Sequence, residues 1–207
     1  SRARTEDVSL SSGSESDGPV PDPSSDAFRI TFFDAPQRSD LVIEGEGEHC
    51  GGGSITVPST IHRYLFPYQV EGVKWLWRQA SSGRGGILAD DMGLGKTLQS
   101  ITILEKRSLV IAPTSILGYW ISEINKFRPS ITCDLYHGPN RQLDMSKDVI
   151  VTSYAILRND ILKLKSIDWS VIILDEAQAI KNPKSQTAIA AFSLNSKFKL
   201  TMSGTPI

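Results

Sequence analysis

Cysteine is scarce in this chain, and long apolar runs are absent from it. The 207 residues include 2 cysteines, Cys50 and Cys133, which lie far apart and lack the spacing of a zinc site. This excludes a disulfide framework and predicts reduced thiols. No apolar run approaches the ~20 residues that a bilayer span requires, and no signal peptide pattern opens the chain. We therefore expect neither a membrane partner nor secretion.

Net charge is nearly absent as well, but the charges are unevenly distributed. The formal net charge is −1; residues 1–60 contain 4 Lys or Arg against 11 Asp or Glu, and residues 61–207 contain 18 against 12. A basic domain behind an acidic leader is compatible with a polyanionic partner. The Ser-rich, acidic composition of residues 1–27 predicts a disordered leader.

Residues 28–56 are predicted to form a small β-like segment with a Gly-rich linker. The apolar stretches at 28–33 and 41–43 suggest a strand pair, and residues 44–54 read as a flexible linker. The remaining residues, 57–207, are assigned to one larger domain.

In that domain, apolar strands alternate with helical patterns. Strands are predicted at 86–89, 108–112, 131–136, 148–152, 170–174 and 199–202, and helices at 68–80, 96–105, 115–127, 154–164 and 185–192. This alternation predicts an α/β fold with a parallel sheet covered by helices on both faces. Ligands of such sheets bind at the carboxyl ends of the strands.

A glycine loop follows the first strand of this domain. Gly93 and Gly95 allow a tight turn that brings backbone N–H groups close to phosphate oxygens. Lys96 can reach the β- and γ-phosphates, and the Thr97 hydroxyl can ligate Mg²⁺. Asp90 stands where the strict phosphate-loop pattern has glycine, so an ordinary strand–turn–helix is the alternative.

Two carboxylates, Asp175 and Glu176, end the strand at 170–174. A carboxylate at the end of a buried strand suits Mg²⁺, and its neighbour can polarise a water molecule. The alternative is a strand capped by solvated acids.

These motifs and their order resemble the Swi/Snf family of double-stranded-DNA translocases in helicase superfamily two. The resemblance covers about residues 60–207 and implies a RecA-like P-loop lobe that uses ATP and Mg²⁺. In that family an Asp at position 90 is ordinary, and Gln69 corresponds to the glutamine that reads adenine. The ATP-binding residues that the resemblance implies are Gln69, Asp91, Met92, Gly93, Leu94, Gly95, Lys96 and Thr97.

The resemblance also implies roles for the remaining motifs. Asp175 and Thr97 would hold Mg²⁺, Glu176 would orient and deprotonate the attacking water, and Gln178 would contact the γ-phosphate or the coupling motif. The implied DNA-backbone contacts are Pro113, Thr114, Ser115, Thr152, Ser153 and Lys181, and the implied coupling residues are Ser203, Gly204 and Thr205. The alternatives are helix caps at the hydroxyl residues, a solvated lysine at 181 and a surface turn at 203–205.

Three functions are compatible with this pattern. The first is a DNA-stimulated ATPase that moves along duplex DNA and remodels DNA–protein complexes, with nucleosomes among the expected partners. The second is a module that binds nucleotide and DNA without turnover, because the family's second RecA-like lobe, which supplies an arginine to the transferring phosphoryl group, would follow Ile207. The third, a small GTPase-like switch, lacks its N-K-x-D guanine motif here. The leader favours the nucleus of a eukaryote; otherwise we expect the cytoplasm or nucleoid.

Overall fold

A computed structural model describes residues 37–44, 53–89 and 95–204. Its strands are β1 Leu41–Glu44, β2 Ser54–Val57, β3 Gly86–Leu88, β4 Ser108–Ala112, β5 Cys133–Tyr136, β6 Val149–Ser153, β7 Trp169–Leu174 and β8 Ser196–Met202. Its helices are α1 Ser59–His62, α2 Pro67–Ser81, α3 Lys96–Ile101, α4 Leu117–Phe127, α5 Tyr154–Asn159, α6 Ile161–Lys165 and α7 Gln186–Ser193. Short 3-10 turns lie at Thr114–Ile116 and Ala177–Ile180.

The main sheet has six parallel strands in the order β3-β8-β7-β4-β6-β5. The α/β class and the parallel sheet predicted from the alternating pattern are therefore confirmed. Since every strand runs in the same direction, all carboxyl ends lie along one rim.

Helices cover both faces of the sheet, as predicted. Along β4, Val110 belongs to one buried cluster with residues of α2, α3 and α4, whereas Leu109 and Ile111 belong to another with residues of α5, α6 and α7. Strands buried on both faces are mainly apolar, which explains the continuous apolar runs in the sequence.

A separate antiparallel hairpin joins the first of these clusters. β1 pairs with β2, so that Ile43 lies opposite Ile55, and both Ile43 and Val57 are buried with the core. The predicted partner of 41–43, residues 28–33, lies outside the described residues, as do residues 45–52 of the predicted linker. The two ends of that linker, Glu44 and Ser54, belong to β1 and β2 instead, because alternate side chains of these strands pack against the apolar core.

Helix α3 is shorter than predicted, since it ends at Ile101 and not near Glu105. The Arg128 guanidinium donates hydrogen bonds to the carbonyls of Ile101, Thr102 and Leu104 at 3.2, 3.0 and 2.6 Å. A cation at the carboxyl end of a helix satisfies carbonyls that have no intrahelical partner, so the chain can turn into β4 without another helical turn.

The helix predicted at 154–164 is two helices, α5 and α6, separated at Asp160. The Asp160 carboxylate accepts hydrogen bonds from Arg141 Nε at 2.6 Å, Arg141 Nη2 at 2.8 Å and the Tyr136 hydroxyl at 2.5 Å. These bonds fix Asp160 outside helical geometry, and the Arg141 guanidinium lowers the pKa of its carboxyl to about 2. None of the helices in the described ranges has the length and apolar character needed to span a bilayer.

Candidate functional site

The predicted site residues lie along the rim formed by the carboxyl ends of the strands. The Asp175 N–H donates to the Ile111 carbonyl at 2.8 Å, which ties the end of β7 to the end of β4. The Ser203 N–H donates to the Leu88 carbonyl at 3.2 Å, which ties the end of β8 to the end of β3. The segments that follow these four strands therefore meet at one edge of the sheet.

Asp175 is buried and held from three directions. Its Oδ2 accepts a hydrogen bond from Trp120 Nε1 at 2.9 Å, its Oδ1 accepts one from the Glu176 N–H at 2.9 Å, and its carbonyl accepts one from the Tyr154 hydroxyl at 2.7 Å. Burial and the neighbouring Glu176 carboxylate raise the pKa of the Asp175 carboxyl, whereas the hydrogen bonds from Trp120 and from the Glu176 N–H and the positive charge of Lys96 act in the opposite direction.

Glu176 adopts a left-handed backbone conformation, with φ 51° and ψ 60°. For a residue other than glycine this costs about 1 kcal/mol and persists only where neighbouring contacts impose it. Here the Glu176 N–H is bonded to Asp175, and its carbonyl accepts from the Ala179 N–H at 3.1 Å. Such strain is commonest at functional sites, and the side chain at this one is a carboxylate that is only partly buried.

The described end of the glycine loop begins α3. Gly95 has φ 72°, a conformation that favours glycine, and α3 starts at the next residue, Lys96. Lys96 and Thr97 are partly buried in the first turn of this helix. Five positions of the predicted loop lie outside the described residues. They are Asp90, where the strict pattern has glycine, and the predicted contacts Asp91, Met92, Gly93 and Leu94.

Gln69, the predicted adenine-reading residue, lies directly against Gly95 of the glycine loop. A Cβ atom at Gly95 would collide with the amide nitrogen of Gln69, so the two segments touch only because position 95 is glycine. The Gln69 Oε1 also accepts a hydrogen bond from the Phe66 N–H at 2.8 Å, which caps α2. Contact with adenine stays a prediction for this side chain, which is buried here.

Tyr119, which the sequence does not single out, lies in the first turn of α4. Partial burial raises the pKa of its hydroxyl, and the carboxylates of Glu123 and Asp175 raise it further, while a hydrogen bond with Thr97 opposes them. Its neighbour Trp120 is bonded to Asp175 and α4 packs against α3, so this end of α4 lies beside the end of β7. The only signal in the sequence was their position just after a predicted DNA-contact segment.

The oxygen atoms near Asp175 fit a magnesium ion that is held mainly by a nucleotide. Asp175, at the end of β7, offers a carboxylate, and Thr97, in the first turn of α3, offers a hydroxyl; both are hard oxygen ligands. No group of three or more His, Cys, Asp or Glu side chains that could hold a metal occurs in the described ranges. This donor set is that of Mg²⁺ bound through one or two protein groups and substrate phosphates, and not that of an all-protein metal cage.

The predicted DNA-contact segment after β4 is accessible. Thr114 and Ser115 are exposed, and Pro113 is partly buried. The expected helix cap at Ser115 is wrong, because a 3-10 turn covers Thr114–Ile116 and α4 begins at Leu117 without a side-chain cap. The Ser115 hydroxyl is therefore not used to cap α4.

The second predicted DNA-contact segment, at the end of β6, is buried. The Thr152 hydroxyl donates to the Tyr136 carbonyl at 2.7 Å, and the Ser153 hydroxyl accepts the Ile156 N–H at 3.3 Å as the cap of α5. Both residues are at most 1% exposed. Both hydroxyls form hydrogen bonds inside the protein, so neither side chain is accessible for the predicted DNA contact.

The remaining site residues also lie on the rim. Gln178 and Lys181 are exposed at and just after the 3-10 turn that follows Glu176. Ser203 is buried and Gly204 partly buried next to the end of β3, and Thr205 lies outside the described residues.

Three arginines of the domain lie away from the rim. Arg107 precedes β4 and Arg128 binds the last carbonyls of α3, so both are at the opposite end of the sheet. Arg84 likewise precedes β3.

Comparison with known proteins agrees with this geometry. A sequence profile described as the SNF2-related domain matches residues 68–207. The chain is 40% identical over 177 residues to the TATA-binding protein-associated factor mot1 of Aspergillus fumigatus, covering 73% of this chain and 9% of that protein. It is 36% identical over 182 residues to Protein CHROMATIN REMODELING 24 of Arabidopsis thaliana, covering 74% of this chain and 17% of that protein. The chain thus spans less than a fifth of the length of these relatives.

A solved structure shows the same fold. The Sulfolobus solfataricus SWI2/SNF2 ATPase core in complex with dsDNA is 40% identical and superimposes with a TM-score of 0.65, covering 69% of this chain and 32% of that one. The RecA-like fold inferred from the motifs is confirmed by this match.

Proposed function

The chain belongs to the family of SNF2-related domains, which are ATPases, and on that premise we propose that it is the ATP-binding lobe of a DNA-stimulated ATPase. In this proposal, the whole protein moves along duplex DNA and remodels DNA–protein complexes, nucleosomes included, and acts in the nucleus of its source cell. The names of relatives such as CHROMATIN REMODELING 24 and the DNA complex of the archaeal core support it.

The observation that carries the proposal is the approach of the two predicted halves of the nucleotide site. Lys96 lies in the first turn of α3, and α3 packs against α4, whose Trp120 donates its indole N–H to the Asp175 carboxylate at the end of β7. A cation and a carboxylate that follow two strands of one parallel sheet, β3 and β7 with β8 between them, suit a nucleotide triphosphate and its metal ion.

The residues of the rim then have separate roles. Lys96 and the backbone at the start of α3 bind the phosphates, and Asp175 with Thr97 holds Mg²⁺. When bound, Mg²⁺ neutralises phosphate charge. Glu176, the partly exposed carboxylate beside Asp175, orients the attacking water and accepts its proton. Such sites act mainly by positioning and by charge stabilisation.

The proposed DNA contact is made by residues on the same rim as the proposed nucleotide site. Thr114 and Ser115 are exposed hydroxyls at the end of β4, two strands from β8 and next to β7. Hydroxyl and N–H groups bind phosphate without reading bases, so the contact is with the DNA backbone. Lys181 adds a cation on the same side of the molecule.

A binding module without turnover is the second candidate function. Arg84 and Arg107 precede β3 and β4, and Arg128 binds carbonyls at the end of α3, so all three lie away from the rim. A stabilising arginine is worth about 10³–10⁵ in rate in related NTPases. We therefore propose that a second RecA-like lobe supplies it and that this chain by itself hydrolyses ATP slowly.

Phosphate release distinguishes these functions. We expect little steady-state turnover by the 207-residue chain, with or without duplex DNA, and DNA-stimulated turnover when a family second lobe is added in trans. Glu176→Gln should retain ATP·Mg²⁺ binding and lose that turnover, because an amide cannot accept the proton. Turnover by Glu176→Gln close to the unsubstituted rate would exclude Glu176 as the base.

A further inference from the structure

Two aromatic side chains from different helices hold Asp175 in place. Trp120, fully buried in the first turns of α4, donates its indole N–H to the carboxylate oxygen Oδ2 at 2.9 Å. Tyr154, the first residue of α5, donates its hydroxyl to the Asp175 carbonyl at 2.7 Å. One bond therefore orients the carboxylate that the proposed function assigns to Mg²⁺, and the other fixes the backbone that carries it.

Each donor follows a segment that the sequence predicts to contact DNA. Helix α4 comes directly after the exposed 3-10 turn Thr114–Ile116, and α5 comes directly after Thr152 and Ser153. A movement of either segment must shift the helix that follows it. A buried hydrogen bond in a low-dielectric interior resists such a shift, so the movement is passed to its acceptor.

We propose that Trp120 and Tyr154 are positioning residues that couple DNA contact at the rim to the binding of ATP·Mg²⁺. The inference rests on the proposed function, since that function assigns DNA contact to the exposed segment after β4. Contact of the exposed turn Thr114–Ile116 with a DNA phosphate changes the position of α4, and the Trp120 hydrogen bond transmits that change to the Asp175 carboxylate, while the Tyr154 hydrogen bond holds the backbone of Asp175 against which the carboxylate moves. Trp120 acts on the carboxylate itself and Tyr154 only on the backbone, so Trp120 carries the larger share.

Because coupling between two ligands is reciprocal, binding measurements on the 207-residue chain can test it without turnover. The affinity for a fluorescent ATP analogue with Mg²⁺ is measured with and without saturating duplex DNA. We expect the two affinities to differ by about fivefold or more, the usual lower range of such coupling. Trp120→Phe should bring this ratio close to one, and Tyr154→Phe should reduce it less. Nucleotide binding in EDTA should be unchanged in both variants, because no metal is then held by Asp175.

The chain contains matched controls for a general loss of structure. Trp169 is equally buried and donates its indole N–H to the Leu164 carbonyl at 3.0 Å, and the Tyr136 hydroxyl is bonded to Asp160. Trp169→Phe and Tyr136→Phe remove the same kinds of hydrogen bond away from Asp175 and should keep the full coupling ratio.

The outcomes separate this inference from the proposed function. Loss of the ratio in Trp169→Phe as well as Trp120→Phe, or its retention in Trp120→Phe, would overturn the positioning role. An unsubstituted chain that binds both ligands with a ratio of one would overturn the coupling alone. A chain that does not bind duplex DNA at all would contradict the proposed function.

Discussion

At the scale of single residues, a few charged side chains are expected to affect either ligand binding or stability. Lys96 stands in the first turn of α3, and Asp175 is buried at the end of β7 on the rim of the sheet. Asp160, at the far edge of the sheet, is instead fixed by Arg141 and Tyr136. Substitutions at these positions should therefore separate effects on binding from effects on stability.

Lys96→Ala should weaken ATP binding by at least an order of magnitude, because the phosphates lose a charged hydrogen-bond donor worth about 1.5–3 kcal/mol. Titration with a fluorescent ATP analogue measures the change. Lys74→Ala is the control, since Lys74 forms an exposed ion pair with Glu71 at 2.7 Å on α2. Equal affinity in Lys96→Ala and the unsubstituted chain would contradict the phosphate-loop assignment.

Asp160→Asn should lower stability at neutral pH by about 1 kcal/mol, the value of a partly exposed ion pair with good geometry. In the folded chain the pKa of Asp160 is lowered from 3.8 to about 2, so its ionised form favours folding above pH 4. That contribution is lost as the pH falls from 4 towards 2. Urea denaturation at several pH values should show a weaker acid dependence in Asp160→Asn, whereas Asp168→Asn, at an exposed position, should follow the unsubstituted chain.

At the scale of elements, the first residues of the helices show which hydroxyls stabilise the fold by capping a helix. Ser185 caps α7 by accepting the Ala188 N–H at 3.1 Å, whereas Ser115 lies in a 3-10 turn and caps no helix. Ser185→Ala should cost about 1 kcal/mol of stability, as loss of an N-cap does. Ser115→Ala should leave the thermal midpoint unchanged and weaken duplex DNA binding. A lower thermal midpoint in Ser115→Ala would show that this hydroxyl is structural.

The strands and the site motifs could be predicted from the sequence because both depend on local patterns. A strand buried on both faces is mainly apolar, as β4 and β6 are apart from Ser108, Thr152 and Ser153 at their ends, and carboxylates directly after β7 must lie on the rim. The contacts of Trp120 with Asp175 and of Arg128 with α3 could not be predicted. They join residues far apart in the chain, and an indole or guanidinium has the same local pattern whether it packs, caps a helix or orients a carboxylate.

At the scale of the whole molecule, DNA binding should depend on charge and not on base sequence. Contacts with the phosphate backbone release counterions, so affinity should fall roughly tenfold or more between 50 and 200 mM salt. Competition between unrelated duplexes, followed by fluorescence anisotropy, should show equal affinities for each. A strong preference for one sequence would contradict a backbone contact made by Thr114, Ser115 and Lys181.

The hairpin in front of the domain has a consequence for how such a lobe can be inherited. The match to the family begins at residue 68, yet Ile43, Val57, Ile61 and Leu65 fill the same core as the sheet. Recombination at the start of the matched region would transfer the site residues without these four apolar side chains, and a cavity would remain in the core. Removal of a single buried Leu or Ile costs about 2–5 kcal/mol, so a lobe moved in this way would keep its motifs without the stability to fold.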